Sequence, residues 1–168
     1  MKRVTLLRHG HAAAQAEGGD FFRPLDARGQ LEVAAAAAAI GAASGPPDAL
    51  LVSAALRTRQ TAQILIAHFV PAICPVLPAK FERHLYHADW ALLQQALRDT
   101  AETVRHLLLV GHNPGISDLA ARWAQHLPTA RGFEGFHTAG WCTADFEISE
   151  WSLLGAPRAL RFVPAPHG

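Results

Sequence analysis

An α/β fold with a mostly parallel central sheet is what this chain of 168 residues predicts, and three observations carry that reading. Short apolar runs, Arg3 to Leu7, Ala49 to Val52 and Arg105 to Val110, alternate with longer segments of helical periodicity. The runs are continuously apolar, as in strands covered on both faces. Two of them stop abruptly, at Leu6-Leu7-Arg8-His9-Gly10 and at Leu108-Leu109-Val110-Gly111-His112-Asn113. Such endings deliver polar side chains to the carboxyl edge of a sheet, where open α/β folds hold their ligands.

Taken in order, Arg3 to Leu7 is the first strand, followed by a polar, glycine-containing stretch from Gly10 to Asp20. Asp26 is placed to cap a helix over about Ala27 to Ala43, whose alanines give it high intrinsic propensity, and Gly45-Pro46-Pro47 ends it. After the short strand Ala49 to Val52, Ser53 stands where an N-cap is expected. It opens a helix through Ala67, with Leu56, Gln60, Gln63, Ile64 and Ala67 at helical spacing and Arg57 in the first turn. A strand from about Ile73 to Leu77 follows, restricted by Pro75 to an edge or an irregular segment. Asp89 caps a helix to about Thr100, in which Trp90, Leu93, Ala96 and Leu97 form one apolar stripe.

Beyond the strand Arg105 to Val110, Asn113 caps a further helix with Pro114 at its first position; Leu119, Ala120, Trp123, Ala124 and Leu127 face inward until Pro128 intervenes. Past Gly132 the pattern turns to β, with Trp141 to Ile148 and then Trp151 to Leu154 or Leu160 to Val163 as strands, so a terminal hairpin can add an antiparallel strand. No internal repeat or linker appears, and residues 1–168 are expected to form a single domain.

Composition narrows the function classes. Half of the residues are hydrophobic, yet no uninterrupted apolar stretch reaches membrane-spanning length, so a soluble protein without a membrane partner is expected. Met1 to Leu7 starts like a secretion signal but is interrupted by Arg8. Cys74 and Cys142 make no disulfide framework and read as free thiols of a reducing cytoplasm, with one disulfide left open. Fifteen basic against fourteen acidic residues, without a basic run, argue against nucleic acid.

Arginine offers a planar fork of donors to phosphate oxygens, and a neutral imidazole nitrogen is a nucleophile for phosphorus. The two strand ends therefore point to phosphoryl transfer by double displacement. His9 attacks, a phosphohistidine forms, and water hydrolyses it, while Arg8, Arg57 and His112 donate to the equatorial oxygens. His9 is nucleophilic if its other ring nitrogen donates to a backbone carbonyl, which the turn at Gly10 can supply. A helix N-terminus near Asn113 adds amide donors, and no cofactor or metal is called for.

Arg59, two residues from Arg57, points to another helix face and is solvated or paired with an acid. Arg23 supplies rim charge or pairs with Asp20 or Asp26. His11 is open between substrate contact and a structural role. His84 and His87 lack the third ligand of a metal site. The four tryptophans, Trp90, Trp123, Trp141 and Trp151, read as core or rim residues.

Arg8-His9-Gly10 after an apolar strand, Ser53-Ala54-Ala55-Leu56-Arg57-Thr58-Arg59-Gln60-Thr61-Ala62, and Gly111-His112-Asn113-Pro114 together resemble the histidine phosphatase superfamily. Arg23-Pro24-Leu25-Asp26-Ala27-Arg28-Gly29 and Glu82-Arg83-His84-Leu85-Tyr86 resemble, more narrowly, its SixA-type phosphohistidine phosphatase branch. The resemblance runs from residue 4 to about Thr138. It implies a three-layer α/β/α sandwich of phosphoglycerate-mutase-like fold and catalysis by Arg8, His9, Arg57 and His112; by the residues' own chemistry, Gly10, Asn113 and Arg23 are further candidates for phosphate binding.

Larger members of that superfamily protonate the leaving oxygen with a Glu in an insertion after the second motif or with an Asp just after the final histidine. Here Asn113 follows His112, which leaves Glu82 as the candidate acid, against a structural or rim role. The implied activity is removal of phosphate from phosphohistidine in a protein partner. Hydrolysis of small phosphate esters, or phosphoprotein binding without turnover, are the competing readings.

Overall fold

The computed structural model describes residues 1–73, 76–130 and 132–162. Strands β1 (Lys2–Arg8), β2 (Ala49–Ser53), β3 (Ala79–Glu82), β4 (His106–Gly111), β5 (Trp141–Phe146) and β6 (Ala159–Phe162) form one six-stranded sheet in the order β3-β2-β4-β1-β5-β6. The first four are mutually parallel, and β5 and β6 run antiparallel at one edge. The mostly parallel sheet with a terminal hairpin is thus present.

Helices α1 (Ala27–Ser44) and α2 (Leu56–Ile73) cover one face, and α3 (Trp90–Arg98) and α4 (Gly115–Gln125) cover the other. Strand residues split between the two sides with period two. Leu7, Leu50, Val52, Leu108 and Val110 pack toward α1 and α2, whereas Val4, Leu6, Leu51, Leu107 and Leu109 pack toward α3 and α4. Continuous apolar strands follow from that double coverage. Among the described residues, no helix is long and apolar enough to cross a membrane. Cys142 is a free, buried thiol in β5, whereas Cys74 lies outside the described residues.

Asp26 and Asp89 cap α1 and α3 as expected, accepting from the amides of Gly29 and Leu92. Each such cap stabilises its helix by about 1 kcal/mol. Ser53 does not cap α2. It is the last residue of β2, and the helix begins three residues later, at Leu56. Its carbonyl takes the Thr58 hydroxyl at 2.6 Å, which leaves its own hydroxyl for another use.

Asn113 likewise does not cap α4: Pro114 holds that position, while the Asn113 amide donates to the Phe136 carbonyl at 2.9 Å and its oxygen accepts from Ser117.

The strand expected over Ile73 to Leu77 is displaced. Ile73 still belongs to α2, Cys74 and Pro75 lie outside the described residues, and the strand is Ala79–Glu82. Pairing explains the shift: β3 aligns Ala79 to Glu82 with Leu50 to Ser53, and the Pro78 carbonyl accepts from the Leu50 amide at 2.8 Å. An edge strand needs only one bonded side, so proline is tolerated just before it. At the chain's other end, Trp151–Leu153 is a 3₁₀ turn and the final strand is Ala159–Phe162, the second of the two alternatives, while β5 stops at Phe146.

Two glycines weld the first turn to α1. A Cβ on Gly10 would lie 2.6 Å from the Gly29 carbonyl oxygen, and one on Gly29 would lie 2.0 Å from that of His11. The need for glycine here is close approach of backbones.

Candidate active site

At the carboxyl edge of the sheet, β1 ends at Arg8 with His9 just past it, His112 directly follows β4, Ser53 ends β2, and Arg57 lies in the first turn of α2. His9, Arg57 and His112 are only 7%, 4% and 4% exposed, although all three are polar. Burial of polar side chains at an edge calls for partners, and the partners define the chemistry.

The tautomer of His9 follows from its two contacts. Nδ1 lies 2.7 Å from the Gly10 carbonyl, which can only accept, so Nδ1 carries the proton. Arg57 Nε donates to Nε2 at 3.3 Å, and a guanidinium cannot accept, so Nε2 presents its lone pair. Burial, with Arg57 and Arg8 nearby and against the Gly10 hydrogen bond, pushes the His9 pKa down to about 4. At neutral pH this imidazole is uncharged, and its Nε2 lone pair is of the kind a nucleophile needs.

His112 lies beside it, with ring centroids 5.2 Å apart. Its Nε2 is 2.7 Å from the Ser53 hydroxyl, and its Nδ1 is buried without a hydrogen-bond partner among the described residues. Burial first, then the neighbouring His9 and Arg57, push the His112 pKa down to about 2. With Ser53 donating to Nε2, Nδ1–H is an unused donor. Arg8 shows the same incompleteness: Nη1 donates to the Phe136 carbonyl at 2.9 Å, while Nε is buried and unpartnered among the described residues. Unfilled buried donors around an unprotonated nucleophile form a cradle for an oxyanion.

The remaining candidates are placed differently. The Gly10 amide donates to the Thr61 hydroxyl at 3.3 Å, so it is committed within the fold and is not a free phosphate donor. Asn113 sits next to His112 but ties the Phe136 loop to α4. Arg23 pairs with Asp20 at 2.8 Å and donates to the Ala13 carbonyl at 2.6 Å. His11 pairs through Nδ1 with Asp26. Among the described residues Arg59 neither pairs with an acid nor joins the cradle: it is exposed and lies over the Phe81 ring, 5.3 Å from its centroid.

Glu82, at the end of β3, binds Lys80 at 2.7 Å and lies 3.4 Å from His84 Nδ1. The Lys80 hydrogen bond, ahead of the His84 charge, holds its carboxyl below the usual range, the reverse of what a proton donor needs. Among the described residues, no group of three His, Cys, Asp or Glu side chains is placed to hold a metal ion.

Sequence reasoning passed over four residues of this site. Ser53 was read as a cap and instead orients His112. Asp20 was considered only as a partner of Arg23, yet its carboxylate also takes Arg57 Nη2 at 3.0 Å and the Tyr86 hydroxyl at 2.5 Å. The Tyr86 and His87 rings stack at 4.0 Å, and each meets the His112 ring edge-on. His87 adopts a left-handed backbone, φ 54°, a conformation that collects at functional sites. Its segment is held by α4, since a Cβ on Gly115 would lie 1.9 Å from the Ala88 carbonyl oxygen. Glycine at a helix start and a histidine between Tyr and Ala were the available signals.

Comparison with known proteins agrees with this geometry. The model of the histidine phosphatase superfamily, branch 1, matches residues 4–91. An uncharacterised protein of Mycobacterium tuberculosis is 34% identical over 115 residues, covering 68% of this chain and 67% of the relative. Among solved structures, a SixA chain from Agrobacterium tumefaciens assigned as a phosphohistidine phosphatase superposes with a TM-score of 0.71 at 27% identity, covering 97% of this chain and 96% of the other. A mycobacterial glucosyl-3-phosphoglycerate phosphatase superposes at 0.64 with 19% identity and 97% of each chain covered, a likeness of fold alone. The fold is a phosphoglycerate-mutase-like α/β/α sandwich with a mostly parallel sheet. The chain belongs to the histidine phosphatase superfamily, and its substrate bears a phosphoryl group that it removes by hydrolysis.

Proposed function

We infer that the chain removes phosphate from phosphohistidine on a protein partner, through a covalent intermediate on His9. The observation that carries the mechanism is the locked His9 tautomer, with Nδ1 donating to Gly10 and Nε2 facing Arg57. The substrate imidazole takes a proton from solvent on its ring nitrogen away from phosphorus, Nε2 of His9 attacks phosphorus in line, and the bond from phosphorus to the departing nitrogen breaks with its electron pair staying on that nitrogen, so that neutral imidazole leaves. Arg8, Arg57 and His112 hold the equatorial oxygens as charge builds on them. Water then attacks the phospho-His9, and inorganic phosphate leaves.

The preference for a phosphorus–nitrogen bond is supported by the state of the carboxyls. Glu82 is ion-paired, and its pKa is displaced away from acid duty. A protonated imidazole departs neutral without help, whereas an alkyl ester must expel a basic alkoxide. The likeness to the Agrobacterium SixA chain points the same way. Small-ester hydrolysis is the second reading, favoured by the fold shared with the glucosyl-3-phosphoglycerate phosphatase.

Initial rates on a phosphohistidine protein and phosphoramidate, beside phosphoserine and p-nitrophenyl phosphate, test the choice. Faster cleavage of the nitrogen-linked phosphates is expected. Efficient hydrolysis of phosphoserine or a sugar phosphate, with little action on phosphohistidine, would transfer the assignment to small esters. Acid-labile, base-stable phosphate trapped on His9 tests the intermediate separately.

A further inference from the structure

The mouth of the site already contains an anion. Asp20 Oδ2 accepts from Arg57 Nη2 at 3.0 Å and from the Tyr86 hydroxyl at 2.5 Å, and lies 3.5 Å from His87 Nε2. Oδ1 accepts from Arg23 Nη1 at 2.8 Å, and the Asp20 backbone carbonyl takes Arg57 Nη1 at 2.7 Å. One residue therefore occupies the outer edge of Arg57 and one arm of Arg23. Both arginines would otherwise present open guanidinium forks beside the phosphoryl site, suited to a second anionic group on the substrate.

We propose that Asp20 selects substrates by the charge of the leaving group, rejecting phosphates whose leaving group carries a carboxylate or a second phosphate and admitting neutral or cationic ones such as imidazole. This rests on the phosphatase reading above and narrows its substrate class. A leaving group departs on the side of phosphorus opposite His9. On that proposed exit lie Asp20, whose side chain is 41% exposed and bound to Arg57 and Tyr86, and the stacked Tyr86–His87 pair. An anion on that path meets a carboxylate at close range in a partly desolvated mouth, whereas an imidazole meets aromatic faces and a negative neighbour.

The Tyr86 hydroxyl, followed by Arg23 and Arg57, holds the Asp20 carboxyl far below the usual range. The carboxyl is therefore held in its charged form, displaced away from proton donation. Asp20 follows Gly18 and Gly19, both in the left-handed region at φ 87° and 99°, which set the turn that carries it to the mouth.

Phenyl phosphate, 4-carboxyphenyl phosphate and 4-(aminomethyl)phenyl phosphate vary that charge on one scaffold. They are scored by kcat/KM where turnover is measurable and otherwise by Ki against phosphoramidate turnover. The wild type should favour the cation over the neutral compound and the neutral compound over the anion. Asp20→Asn keeps the size and an acceptor for Tyr86, and should raise the anion-to-neutral ratio by about tenfold. Added salt should flatten the wild-type series more than that of the variant. A parallel fall of all three compounds in Asp20→Asn, or an unchanged ratio, would overturn the proposal by reducing Asp20 to a support for Arg57. A wild type inactive on every phosphate, phosphoramidate included, would instead count against the phosphatase reading.

Discussion

Strand β4 has a buried histidine at each end, His106 where it begins and His112 just past its last residue, and the two are finished differently. Burial, the leading cause in both, depresses their pKa values to about 4 and about 2. At the amino end every valence is met. His106 Nδ1 donates to the Pro46 carbonyl at 3.3 Å, and Nε2 accepts from the Thr5 hydroxyl at 2.8 Å. Thr5 in turn meets Thr143, and Thr143 meets Ser44, in a chain of hydroxyls. At the carboxyl end His112 has Ser53 on one nitrogen and nothing on the other among the described residues, and Arg8 nearby also leaves a buried donor unused. A completed polar network holds strands together; the incomplete one at the other end is what the proposed phosphate site would complete.

The contrast is tested hardest by removing the nucleophile. His9→Ala should lower kcat by more than about 10³-fold with little change in Tm, because it empties a turn at the sheet edge and not the core. Measurable turnover at the wild-type rate would end the covalent mechanism. Next, His112→Ala should lower kcat/KM by about 2–4 kcal/mol of transition-state stabilisation, as should Arg8→Ala and Arg57→Ala. His106→Ala should do the converse, leaving kcat/KM nearly untouched while costing about 1–3 kcal/mol of folding stability in urea unfolding, since it takes the imidazole acceptor from the Thr5 hydroxyl and the donor from the Pro46 carbonyl. Equal effects of the two histidine variants on both measurements would erase the distinction between the ends.

A smaller, pH-dependent effect sharpens it. His106 is neutral in the fold with its pKa lowered to about 4, against about 6.5 when unfolded. The unfolded chain therefore binds the extra proton first. The stability from the neutral ring is fully present above about pH 6.5 and is lost as pH falls toward 4. His106→Asn should flatten the slope of unfolding free energy in that window relative to the wild type. The same sign at His9 places the acid limb of kcat/KM near pH 4 and not near neutrality. Least of all, Arg59→Ala should change kcat/KM little and stability by about 0.5–1 kcal/mol, the scale of an exposed cation–π contact such as that over Phe81.

The parallel strands, both aspartate caps and the convergence of His9, Arg57 and His112 were legible because each rests on a local rule. Apolar runs mark doubly covered strands, Asp before an alanine-rich segment marks a cap, and βα junctions meet at one sheet edge. The displaced β3 was not legible, because pairing with β2 and not residue propensity sets where an edge strand lies. Ser53 and Asn113 were misread for a related reason. Both are good caps by type, but tertiary partners, His112 for one and Phe136 with Ser117 for the other, claim their side chains. Asp20, Tyr86 and His87 reach the site from irregular segments, for which periodicity has no signal.

The strand order has a consequence for how the chain is made. β1, which carries His9, and β2, which leads to Arg57, do not pair with each other; β4 lies between them and pairs with both. During synthesis, His9 therefore leaves the ribosome roughly a hundred residues, and Arg57 roughly fifty, before the strand that joins them, and β1 waits still longer for β5 on its other side. Long-range closure of this kind is slow, and it happens once. A nascent or truncated chain ending before His106 holds both catalytic motifs in sequence but no sheet to align them, so it has no means of taking phosphate from anything until β4 slots into place.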